Sequence, residues 1–185
     1  YLGEYAFQNC SNLKDIKGLD KFTIIPSFAF SNTAITSLDL PLCEVVGDGA
    51  FYNCSKLESI SLPICTTING GVKTNQWSSV YGTFANCTKL QKLDLPKCTN
   101  ISGYAFQNCT NLASLNIPVC QSLGVYSFGS CNSLNEVALP ATIRSLGYRC
   151  FDGNTLLTLN STEIPEFEDK GNNYVMSSAA VADTS

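Results

Sequence analysis

Apolar residues return along this chain in two alternating rhythms. In stretches of the form LxxLxLP, leucine, isoleucine or valine occupies every second position, which marks a short strand with one buried face. Leu38 and Leu40, Ile60 and Leu62, Leu93 and Leu95, Leu115 and Ile117, and Val137 and Leu139 are thereby predicted to point inward. Pro41, Pro63, Pro96, Pro118 and Pro140 follow and end each strand by removing a ladder donor. In stretches of the form AFxxCxxL the apolar spacing is three, which predicts a single helical or 3₁₀ turn on the opposite wall.

The two rhythms belong to one repeat. Residues 84–105 (FANCTKLQKLDLPKCTNISGYA) and 106–127 (FQNCTNLASLNIPVCQSLGVYS) match at Phe, Asn, Cys, Leu, Leu, Pro and Cys with a period of 22. The same register opens units at Phe7, Phe30, Phe51, Phe84, Phe106, Phe128 and Phe151, spaced 23, 21, 33, 22, 22 and 23 residues. The long spacing reflects a loop inserted into one unit. The unit at Phe30 is one residue short, so Ile35 takes the place of Leu57 and Leu90, and Thr33 that of a cysteine. A chain that returns to the same place every 22 residues must lay its strands parallel, roughly 4.8 Å apart. The expected organisation is a solenoid of about seven coils over residues 1–160, with the insertion at about 69–81, then a C-terminal cap and tail over 161–185. Ile164, Phe167, Tyr174 and Val175 are the candidates for covering the last coil.

The pattern AFxNCxxLxxLxLPxCxxI, carried from residue 2 to about 160, resembles the leucine-rich repeats of the BspA type. The resemblance implies a right-handed superhelix with short parallel strands on one face and short helical or 3₁₀ turns on the other. It also implies a bacterial cell-surface or secreted protein concerned with adhesion and recognition of host or neighbouring-cell molecules. A fold does not fix a function, so this part rests on analogy.

Composition narrows the chemistry. The chain has 185 residues, is 44% hydrophobic and 14% charged, and carries a net charge of -4, which lacks the basic footprint that nucleic acid demands. No apolar run is long enough to span a bilayer, so membrane insertion is not expected. Histidine is absent, and with it the commonest general base and metal ligand. The expectation is a protein that is not an enzyme, with no cofactor and no metal. Ten cysteines invite a disulfide or zinc reading, but Cys10, Cys54, Cys87, Cys109 and Cys131 fall in one column of the repeat and Cys43, Cys65, Cys98 and Cys120 in another. Thr33 and Asn154 stand in for the first column and Thr142 for the second, which predicts small, buried, free side chains. Parallel neighbours about 4.8 Å apart would strain a disulfide. Asn9, Asn53, Asn86 and Asn108 sit in NCS or NCT triplets and are expected to bond local backbone at each turn.

Two surfaces remain for a partner. Outward positions of the strands form one column of Lys17, Asp39, Ser61, Asp94, Asn116, Ala138 and Asn160, and a second of Asp15, Ser37, Ser59, Lys92, Ser114, Glu136 and Thr158. Asp39, Ser61, Asp94, Asn116, Ser59, Lys92 and Glu136 are the expected ligand-binding residues of this face. The insertion is the other surface, through Trp77 and Tyr81, since surplus loops in repeat arrays project and carry specificity. The expected partner is an extracellular protein or glycan; the alternative is a structural spacer in a longer surface protein, with no ligand of its own. A monomer is expected, with the incomplete first coil as a place for self-association.

Overall fold

A computed structural model describes residues 1–73, 80–154 and 158–160. Each coil has three sides. The first is the strand expected from the alternating pattern: β2 (Ser37–Asp39), β4 (Ser59–Ser61), β8 (Lys92–Asp94), β10 (Ser114–Asn116), β12 (Glu136–Ala138) and β14 (Thr158–Asn160). They pair in parallel as β2 with β4, β8 with β10 and β12 with β14, with Asp39 opposite Ser61 and Asp94 opposite Asn116. Leu38, Leu93 and Val137 at their centres are buried, as the alternation requires.

A second strand in each coil went unanticipated. The two-residue strands β1 (Ile24–Ile25), β3 (Val45–Val46), β5 (Thr67–Ile68), β9 (Asn100–Ile101), β11 (Ser122–Leu123) and β13 (Ser145–Leu146) form one continuous six-stranded parallel sheet in that order. Two residues are too few to show a period. The signal was the column Ile25, Val46, Ile68, Ile101, Leu123 and Leu146, all buried. At the N-terminal edge of this sheet, Pro26 occupies the position that Gly47 holds one coil on, where the Gly47 N–H donates back to the Ile25 carbonyl (2.8 Å). Lacking an N–H, it blunts the exposed edge.

The third side corrects the expected helical or 3₁₀ turn: among the described residues there is no helix, only hydrogen-bonded turns. The reason lies in the backbone bonds. Phe30 N–H donates to Ala50 (2.9 Å) and Phe106 N–H to Ser127 (2.8 Å), each in the following coil, instead of back along its own turn. Two residues take the left-handed conformation in every coil except that of Phe84, which has one. Asn9, Asn32, Asn53, Asn86 and Asn108 lie at φ of 63°, 58°, 58°, 64° and 60°, with Ser130 at 58° and Gly153 at 78° in the same column. Asparagine tolerates this region better than most residues, which explains its recurrence. Its side chain does not serve local backbone as expected; Asn32 Nδ2 donates to Asn9 Oδ1 (2.8 Å), Asn53 to Asn32 (2.7 Å) and Asn108 to Asn86 (3.0 Å), forming ladders across coils.

The core is a stack of phenylalanines. Phe7, Phe30, Phe51, Phe84, Phe106, Phe128 and Phe151 follow one another with centroids 5.0–5.6 Å apart and nearly parallel planes. Such pairs contribute about 0.5–1.5 kcal/mol beyond their burial. The cysteines flank this stack and all ten are free thiols, nine of them buried. In the first column the thiol is a donor: Cys54 Sγ bonds the carbonyl of Phe30 (3.1 Å), Cys87 that of Phe51 (3.2 Å), Cys109 that of Phe84 (3.2 Å) and Cys131 that of Phe106 (3.2 Å). Asn154 Nδ2 makes the same bond to Phe128 (3.1 Å), so its substitution keeps the donor.

In the second column a correction is needed. Counting back from the pairing of Ser122 with Ser145 sets Ile143, not Thr142, opposite Cys120. Ile143 is buried, and Thr142 instead donates to the Cys120 carbonyl (2.8 Å). By the same register Phe22 stands opposite Cys43. The second column therefore requires apolar filling, not smallness.

Candidate functional site

The strand side places every expected ligand-binding residue of its face on one exposed surface. Asp39, Ser59, Ser61, Lys92, Asp94, Asn116 and Glu136 are all exposed, while their neighbours along each strand turn inward. The pairing sets Ser37 beside Ser59 and Lys92 beside Ser114 in one column, Asp39 beside Ser61 and Asp94 beside Asn116 in the other. A cross-strand bond runs from Asn116 Nδ2 to Asp94 Oδ1 (2.8 Å). At its margin Lys89 pairs with Glu58 (3.1 Å), both half-exposed, a contact worth less than about 1 kcal/mol in water. Within each pair of strands the backbone is taken up by the ladder, so there the face offers a partner side-chain hydroxyl, amide and charge.

The insertion enters and leaves through the antiparallel pair β6 (Val72–Lys73) and β7 (Val80–Tyr81). Trp77 lies outside the described residues. Tyr81 is held at the root, edge-on to Phe28 (5.7 Å, 74°) and to Tyr52 (4.9 Å, 75°). Thr83, buried two residues on, donates its hydroxyl to the carbonyls of Gly47 and Asn69. Tyr81 thus anchors the loop to the solenoid, a role its sequence position did not reveal. Close by, burial raises the carboxyl of Asp48 above its usual range, against a lowering bond from Gly70 N–H, and the charge of Glu4 raises it further.

Sequence reasoning missed a third surface. Two residues before each core phenylalanine stand Tyr5, Phe28, Gly49, Gly82, Tyr104, Tyr126 and Arg149. All but Gly82 have positive φ, from 51° to 60°, which costs a residue with a Cβ about 1–2 kcal/mol. Tyr5 stacks on Phe28 (5.2 Å) and Tyr104 on Tyr126 (5.4 Å). Tyr148 lies edge-on to Tyr126 (6.0 Å), and the Arg149 guanidinium sits 5.0 Å from the Tyr148 ring centroid while Nη1 donates to Tyr126 Oη (3.1 Å). These side chains line a ridge where the six-stranded sheet meets the turns. The signal was present in EYAF, SFAF, GYAF and VYSF, one aromatic before the core pair.

The sequence profile of the BspA type leucine-rich repeat region matches residues 1–76 and 75–178 in six copies. The chain belongs to this family. A leucine-rich repeat protein from Bacteroides ovatus ATCC 8483 is similar in structure, with a TM-score of 0.67 and 26% identity over 85% of this chain and 45% of that one. Another from Eubacterium ventriosum ATCC 27560 has a TM-score of 0.67 and 23% identity over 92% of this chain and 43% of that one. This BspA-type chain therefore spans less than half the length of either solved protein. Comparison with curated proteins gives no match. Among the described residues, no three histidine, cysteine or acidic side chains converge as a metal site, and no helix is long and apolar enough to cross a membrane. The BspA-type repeat is a scaffold, and what its geometry can do chemically is present columns of side chains at a fixed pitch.

Proposed function

We propose that this BspA-type array is a recognition module of the bacterial surface or secretions, which binds a host or neighbouring-cell protein or glycan through its strand face and the insertion. One observation carries the reading: Asp39, Ser59, Ser61, Lys92, Asp94, Asn116 and Glu136 all stand exposed on the strand side, outside the apolar core. Tyr81 supports the second half of the reading, because it packs the root of the insertion edge-on against Phe28 and Tyr52.

The test is a screen of the whole chain against extracellular-matrix proteins and glycan arrays, with a charge-reversed face (Asp39→Lys with Lys92→Glu) and Trp77→Ala run beside it. The expected outcome is saturable binding that the face variant weakens about tenfold or more, with a melting curve unchanged within about 0.5 kcal/mol, as for other exposed substitutions. Absence of binding by the unaltered chain favours the second reading, a rigid spacer within a longer surface protein. The unbroken coil-to-coil bonding of the six-stranded sheet is the observation on that side.

A further inference from the structure

We draw no further inference here: the strongest candidate, the surface ridge of Tyr104, Tyr126 and Arg149, has its tyrosine rings stacked on one another and its guanidinium bonded to the Tyr126 phenol, and nothing in the structure shows what covers it.

Discussion

The two cysteine columns look alike in sequence and answer to different physics. Where the first column changes residue, it keeps a hydrogen-bond donor: Thr33 lies beside Cys54 Sγ (3.3 Å) and Asn154 takes over the bond to the preceding phenylalanine carbonyl. Where the second column changes, it takes large apolar side chains, Phe22 and Ile143. Thiols such as Cys98 do bond a carbonyl two residues on (3.3 Å), yet the column's ends do without. Cysteine recurs in both because it is small and apolar and still a weak donor.

The largest effect should come from pH, and it acts on both columns together. Burial pushes Cys43 up to about 11 and Cys65, Cys98, Cys131 and Cys150 up to about 12, and raises Cys54, Cys87, Cys109 and Cys120 as well. Between the ordinary thiol value near 9 and these raised values, the unfolded chain releases protons that the folded chain keeps. Stability is therefore complete below about pH 9 and falls as pH rises toward 12. Urea melts across this range should show a midpoint that drops steadily with alkalinity. A midpoint that stays level to pH 12 would refute the burial of the columns.

Isosteric substitutions should then separate the columns. At Cys109, valine removes the donor to Phe84 and threonine keeps one, so Cys109→Thr should be more stable than Cys109→Val by about 1 kcal/mol. At Cys98 the order should reverse by a smaller amount, because Phe22 and Ile143 fill this column without a donor, while a bond to the Asn100 carbonyl offsets only part of the cost of burying a hydroxyl. Chemical denaturation of the four variants tests the pair of signs. The same order at both sites would mean the columns are physically equivalent.

Much of this molecule can be read from its residues, and the misses share a cause. The phenylalanine stack and the strands through Leu38, Leu93 and Val137 were legible because each recurs with a fixed offset and a clear period. The six-stranded sheet was not, since a two-residue strand such as Thr67–Ile68 is shorter than any periodicity that could announce it. The turn side was misjudged as helical because a spacing of three apolar residues is shared by a helical turn and by a tight turn bonded to the next coil. Ile143 was misplaced because a single added residue shifts the register, and only the pairing with Ser122 and Leu123 shows on which side of the addition the inward position falls. For the sites, the strand face followed directly from alternation, whereas the ridge needed the knowledge that Tyr104 and Tyr126, 22 residues apart, stack at 5.4 Å.

The sequence by itself determined the repeat, its period, the inward columns and the polar face of the strands, because each coil meets its neighbour at the same offset and similar residues must then lie on one another. The tertiary structure decided what no single coil contains: which backbone groups bond to the next coil, why asparagine ladders at positive φ, how Tyr81 roots the insertion, and where the aromatic ridge runs. These depend on the distance between coils and on the conformation at each corner, and neither is written in the order of residues along one turn.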